Sequence, residues 1–369
     1  MRLAIITRNY AEYCLRYANA AARKAEVLLI VDEKAARIEW PDHCAQLSPG
    51  LTVVRTDLGM RRGINGMVTA VRAVADFRPD YAHFHESPNL TVPVLKLAIR
   101  PFVRLVLTVH DPHPHSGADS KLPFIKYWLI NLGRRLASVI VVHGEYNERL
   151  FNEIYPNRAG QVIRSQHGVL MVPTKGREIG TPRSILMFGR MQRYKGLETL
   201  IAASDILVQR AVQHKVIVAG TGPEADRLLS EMRRRKAFEL HLRYIMPVEA
   251  ADLFQSSEMV VLPYLDATQS GVAAAAFANG RAVVASRIGG LTDVVDDGVN
   301  GLLVEPGNAV ALADALQRVL EDDNLRVRLM TGARVTAETK LNWNRIADEL
   351  IANLSAREQF TAARSWVKV

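Results

Sequence analysis

The strongest constraint on this chain is a series of short, β-branched apolar runs that alternates with helical patterns, stops, and starts again. The first series occupies 2–7, 26–32, 51–57, 81–85, 103–111 and 138–144, from "RLAIIT" to "SVIVVHG". Several of these runs are hydrophobic nearly end to end, as strands covered on both faces of a parallel sheet must be. Helical stretches such as "GMVTAVRAVADF" and "PFIKYWLINLGRRLA" lie between them. The second series occupies 184–190, 214–220, 241–246, 259–264, 281–287 and 301–306. Two such series predict an α/β fold of two doubly wound, Rossmann-like domains facing a central cleft. A length of 369 residues also suits two cores better than one. Pro, Gly and charge cluster at 171–183, so we expect an N-terminal domain over 1–172 and a C-terminal domain over 183–345. A terminal helix over 346–369 is expected to pack back on the first domain.

Charge is unevenly spread. Residues 1–175 hold 23 Lys and Arg against 15 Asp and Glu, whereas the remainder hold 24 against 23. A basic first half suits an anionic partner: phospholipid head groups, a pyrophosphate-linked lipid or a nucleic acid. A surface with a plain basic bias is equally compatible. Cys14 and Cys44 are too few for a disulfide framework and lack zinc-ligand spacing, so reduced thiols are expected. No apolar run approaches the length of a spanning helix, and "MRLAIITRNY" reads as a first strand rather than a signal peptide.

Ligands of open α/β sheets bind beyond the carboxyl ends of strands, which makes the residue after each strand a candidate. In "FGRMQRYKGLETL" a strand ends at Gly189, and Arg190 and Lys195 follow. A planar fork and a mobile point charge together suit the spread charge of a diphosphate. Gly220 and Gly222 of "GTGPE" permit a tight turn near a ligand, although a purely structural turn is the default for a lone Gly-x-Gly. "LTVHDPHPHSG" places His110 and Asp111 at a strand end, and "AHFHESPN" does the same for His85 and Glu86. The first of these carries three histidines but only one close carboxylate and no helical His pair, so no metal is expected. "LDATQSGVAAAAFANGRAVVAS" (265–286) offers Asp266, Thr268, Gln269, Ser270, Gly271 and Val272 where a strand turns into a helix. Amides at such a helix start favour an anion, and Thr268 or Ser270 can cap the helix. The alanine run 273–276 reads as close-packed helix. "KLPFIKYWLINLGRRLA" (121–137) mixes basic and aromatic residues; it can lie on an anionic bilayer, but packing on the sheet is its expected use. "MRRRKAF" (232–238) reads as a solvated basic face.

"FGRMQRYKGLETLI", "VIVAGTGPEADRL", "NGRAVVASRIGGLTDVVDDGVNGLLVEPGN" and "TVHDPHPH" together resemble the GT-B-fold retaining glycosyltransferases of family 4, the glycosyl transferases group 1. Order and spacing agree over most of residues 103–345. The resemblance implies an enzyme that moves a hexose from a nucleoside-diphosphate sugar to a hydroxyl acceptor with retained anomeric configuration. It implies that Arg190 and Lys195 hold the donor diphosphate, that His110 faces the donor sugar, and that Gly220 and Gly222 lie near the nucleotide. Asp111, His85 and Glu86 would line the acceptor side. Anchored on Gly280, the family pattern expects two glutamates that fall here at Ala267 and Ala275. Their loss leaves neutral groups, with Asp266 one position away, to meet the sugar. No cofactor, metal or nucleic-acid partner is implied beyond the nucleotide sugar as co-substrate. With the basic first domain, the expected acceptor is a lipid-linked (polyprenyl-pyrophosphate) or polysaccharide precursor, as for exopolysaccharide, capsule or lipopolysaccharide. The expected location is cytoplasmic, peripheral on the inner face of the membrane. The alternatives are a non-catalytic GT-B paralogue acting as a binding partner, or a sugar phosphorylase or nucleotide-sugar epimerase on the same fold.

Overall fold

A computed structural model describes residues 1–39, 47–59, 63–87, 89–113, 124–172 and 182–366. The first sheet contains β1 (Arg2–Thr7), β2 (Glu26–Asp32), β3 (Leu51–Thr56), β4 (Tyr81–His85), β5 (Arg104–Val109), β6 (Val139–His143) and β7 (Val162–Ser165). Its spatial order is β3-β2-β1-β4-β5-β6-β7. The second contains β8 (Ser184–Phe188), β9 (Lys215–Ala219), β10 (Phe238–His241), β11 (Met259–Leu262), β12 (Ala282–Ser286) and β13 (Gly301–Val304), in the order β10-β9-β8-β11-β12-β13. Every pairing between these strands is parallel. The order reverses beside β1 and β8, and that is where open sheets leave a crevice.

Two strands differ from the sequence reading. β7 has only four residues at a sheet edge and was not expected. β10 ends where a strand over 241–246 was expected to begin. Its side chains are all half-buried, so it carries little apolar signal, whereas Ile245 is apolar because it walls a cavity.

Apolar clusters cover both faces of each sheet. The helix Trp343–Trp366 crosses back to the first lobe, where Trp343, Ile346, Ala347, Leu350 and Leu354 join Leu3, Ile5 and the helix Ala11–Ala21 in one core. Each large apolar side chain buried there contributes about 1.5–3 kcal/mol. The Trp343 indole N–H donates to the Val169 carbonyl at 2.7 Å. The lobes also touch directly: the Tyr146 amide donates to Asp293 at 2.8 Å, and Asn279 donates to the Met171 carbonyl at 3.0 Å.

The basic, aromatic helix departs from expectation. Lys121 lies outside the described residues, and the helix runs Phe124–Leu136. Leu129 and Gly133 pack inward, but Phe124 is 82% exposed and Ile125 65%. In 232–238, Arg235 is paired with Asp205 at 2.7 Å rather than simply solvated. Cys14 is buried and free; Cys44 lies outside the described residues. Among the described residues, no helix is long and apolar enough to cross a membrane.

Candidate active site

The turns after β8 and β9 are joined backbone to backbone. Gly189 N–H donates to Ala219 at 2.9 Å, and Met191 N–H donates to Thr221 at 2.8 Å. A Cβ at Gly220 would lie 2.0 Å from the Gly189 carbonyl oxygen, and one at Gly222 2.4 Å from that of Met191. Both glycines also hold positive φ, 134° and 155°. This close approach presents Arg190 and Gly220 to the cleft, where both line a cavity of about 310 Å³. Gly222 serves the joining of the two turns.

Lys195 ends a short 3₁₀ turn and folds back under Gly189, where a Cβ would stand 3.0 Å from its Nζ. The ammonium is buried. It donates to the Tyr264 hydroxyl at 2.9 Å, reaches the Phe188 carbonyl only at 3.5 Å, and lies 4.9 Å from the Tyr264 ring centre. Tyr264 is in turn hydrogen-bonded to Ser270, whose hydroxyl caps the helix Gly271–Ala278 by accepting from Ala273 at 3.2 Å. Cation, phenol and helix cap therefore form one chain. Val272 closes the circle, 3.7 Å from a Cβ placed on Gly189. Among the described residues no carboxylate pairs with Lys195. Burial lowers its pKa to about 8; Tyr194 opposes that shift and the like charge of Arg190 adds to it. A buried ammonium without a counter-ion is costly unless an anion arrives. Arg190 and the amide-bearing helix tip favour the same guest.

Ala267 and Ala275 are fully enclosed in an apolar cluster with Tyr264, Phe277 and Leu291, and the alanine run 273–276 is buried with them. Asp266 is half-buried beside them. Gln269 and Ser270 border a small crevice against His143, His167 and Asp293 of both lobes, and the Gln269 side-chain Oε1 is buried with no hydrogen-bond partner among the described residues. Thr268 donates across the cleft to Asp111. A first-lobe carboxylate thus reaches the turn next to Ala267.

Behind Asp111 lies an array of five imidazoles, four of them buried and the fifth, His167, half-buried. His83, His85, His110, His143 and His167 follow one another at ring separations of 5.2–5.5 Å. Tyr13 packs edge-on against three of them, 5.0 Å from His85, 5.7 Å from His110 and 5.1 Å from His167. Tyr10, held at φ 62° at the start of the first helix, lies over His110 at 4.4 Å. Burial lowers all five pKa values, to about 3 for His83 and about 4 for His110 and His167. The rings are therefore neutral at pH 7. His85 Nδ1 meets His110 Nε2 at 3.0 Å, while His85 Nε2 is buried with no hydrogen-bond partner among the described residues. An unpartnered lone pair costs less than an unpartnered N–H, so the proton sits on His85 Nδ1. His85 then donates to His110, which carries its own proton on Nδ1.

His85 is thus placed behind His110 rather than on the acceptor wall. Glu86 also faces inward. Arg134 grips both its oxygens, at 2.7 and 2.9 Å, and donates to the Asp111 and Pro112 carbonyls at 2.9 Å each. This pair braces the backbone that carries His110 and Asp111. Among the described residues no three His, Cys, Asp or Glu side chains are arranged to hold a metal ion.

The cleft also uses residues that the sequence reading passed over: Tyr10, Glu12, Glu39, Tyr244, Ile245 and Tyr264. Tyr10 follows β1, Tyr244 follows β10 and Tyr264 follows β11, so the strand-end rule pointed to all three. Glu39 accepts from the Ala11 amide at 2.6 Å and carried no local signal.

Residues 182–322 match the family model for glycosyl transferases group 1. D-inositol 3-phosphate glycosyltransferase of Nocardiopsis dassonvillei is 28% identical over 90% of this chain and 86% of its own. The enzyme of the same name from Corynebacterium urealyticum is 32% identical over 47% of this chain, and the match spans only 44% of that relative. The structure of Anabaena HepE in complex with UDP and glucose superposes with a TM-score of 0.73 at 18% identity, covering 96% of this chain and 100% of that one. The two lobes therefore have the fold seen in HepE, and the second lobe is similar to the glycosyl transferases group 1 over residues 182–322.

Proposed function

We propose that the protein transfers a hexose from a nucleoside-diphosphate sugar to a hydroxyl acceptor with retention of anomeric configuration. The observation that carries this reading is the buried Lys195, which has no carboxylate partner among the described residues and lies near Arg190 and the Ser270-capped helix tip. That arrangement suits a diphosphate, and the related HepE structure was solved with UDP and glucose. In this reading the nucleoside end lies against Tyr244 and Ile245, and the diphosphate lies on Lys195, Arg190 and the amides of Gly271 and Val272. The sugar meets Thr268, Gln269, Asp266 and the His110 Nδ1–H. Asp111 supplies from the opposite lobe a carboxylate that Ala267 lacks.

Transfer is a same-face displacement. The bond from the anomeric carbon to the diphosphate oxygen breaks, the bond to the acceptor oxygen forms on the same face, and the departing phosphate oxygen takes the acceptor's proton. No protein nucleophile takes part. Arg190 and Lys195 stabilise the charge that grows on the leaving group, and lobe contact excludes competing water. The acceptor is a lipid-linked or polysaccharide precursor presented at the inner face of the cytoplasmic membrane, which suits the basic first lobe.

The test is turnover of labelled nucleotide sugars with polyprenyl-linked and soluble acceptors, with product configuration read by NMR. Transfer with retention that is lost in Arg190→Ala supports the reading. Binding of nucleoside diphosphates without turnover would identify a non-catalytic paralogue. Phosphate-dependent cleavage would identify a phosphorylase, and isomerisation without acceptor an epimerase.

A further inference from the structure

The helices that follow β4 and β5 carry a surface that the fold does not use. Strands of the first sheet point their carboxyl ends at the cleft, so the helices Thr91–Ile99 and Phe124–Leu136 begin at its rim and run away from it. They pack side by side. Around their first turns Leu90, Val94, Phe124, Ile125, Tyr127 and Trp128 are 43% to 82% exposed. Contiguous apolar exposure on this scale marks an interaction surface. Its flanks are basic: residues 87–144 contain seven Lys and Arg against two Asp and no Glu. Lys96 and Arg134 are buried, but Arg100, Lys126 and Arg135 are exposed. Neither helix contains an acidic residue.

We propose that this face docks on an anionic lipid bilayer. Trp, Tyr and Phe at a helix start suit the depth where acyl chains meet head groups; Lys126 among them, with Arg100 and Arg135 exposed at the far ends of the two helices, suits anionic head groups. A second copy of the same face is disfavoured, because an isologous contact would oppose two positive surfaces. Docking here also has a geometric use. The chain from β5 to the Phe124 helix passes through His110 and Asp111, so the docked rim adjoins the acceptor side of the cleft. An acceptor anchored in the bilayer would enter without leaving it. The inference rests on the exposed face rather than on the donor reading, and the two fail separately.

The experiment is vesicle flotation of the full chain on phosphatidylcholine, with or without about one-third phosphatidylglycerol, at about 0.05 and 0.5 M salt. Binding is expected on anionic vesicles at low salt, with a blue shift in tryptophan emission that Trp128→Phe abolishes. Phe124→Ser combined with Trp128→Ser, and Lys126→Glu combined with Arg135→Glu, should each reduce partition at least about tenfold. Calorimetry with a nucleoside diphosphate, run on every variant, shows that the cleft is intact. Failure to bind anionic vesicles, or binding that both double variants leave unchanged, would overturn the proposal. So would a concentration-dependent dimer that the same variants dissociate. Lost vesicle binding with nucleotide binding intact would leave the donor reading standing.

Discussion

Replacing Lys195 with methionine keeps the aliphatic stem and removes the charge, and the structure predicts opposite effects on stability and affinity. Burial moves the lysine from 10.5 to about 8. That shift corresponds to about 3 kcal/mol of unfavourable charge burial in the ligand-free protein. The folded value lies below the unfolded one, so this cost is fully present below pH 8 and is relieved as pH rises from 8 to 10.5. At pH 7 the variant therefore gains that amount, less about 1 kcal/mol for the lost hydrogen bond to Tyr264. The net gain is about 2 kcal/mol, or roughly 4–8 °C in Tm for a lobe of this size. Affinity for a nucleoside diphosphate should fall about 10- to 100-fold, the worth of a charge-assisted contact of about 1.5–3 kcal/mol. Urea unfolding and calorimetry with UDP, GDP and ADP measure both quantities on one preparation. A variant that is less stable than the parent yet binds all three as the parent does would refute the anion-site reasoning.

Three further outcomes follow from the same geometry. In the free enzyme kcat/KM should decline above pH about 8 as Lys195 loses its proton, and Lys195→Arg should move that limb upward; a profile flat to about pH 10 contradicts this. Burial holds the folded pKa of His83 at about 3 and those of His110 and His167 at about 4, below the ordinary 6.5, so the stability these three contribute should be full above pH 6.5 and fall by about 2 kcal/mol each at pH 5; His85 and His143 shift in the same direction. Thermal scans across that window check it, and His143→Asn should flatten the curve. Arg134→Met should destabilise by about 3–5 kcal/mol because Glu86 is left buried and charged, and Glu86→Gln added to it should restore most of the loss in urea unfolding.

The architecture was legible because buried parallel strands leave near-continuous apolar runs, and such runs marked β1, β2, β8 and β12 within a residue or two. β7 and β10 escaped because short edge strands bury little. The two cations stood out by charge after a strand, and Ser270 by its capping chemistry. The Tyr264 bridge between Lys195 and Ser270 did not stand out, since a tyrosine after a strand reads equally as core. The histidine array was not legible either. His83 and His85 lie on β4 and His143 ends β6, whereas His110 follows β5 and His167 follows β7, and only the strand order β4-β5-β6-β7 brings them together. The helix at 124–136 was legible in part: Leu129 and Gly133 pack inward as expected, while Phe124 and Ile125 stay exposed, because periodicity shows that a face is apolar, not what covers it.

The anion site at Lys195 is tested most directly by a crystal structure of the protein soaked with a nucleoside diphosphate that calorimetry has shown to bind. Phosphate oxygens are expected within hydrogen-bond reach, about 3 Å, of Lys195 Nζ and of the Gly271 and Val272 amides, with Arg190 turned onto the same group. A diphosphate bound elsewhere, with Lys195 still held only by Tyr264, would contradict the anion site.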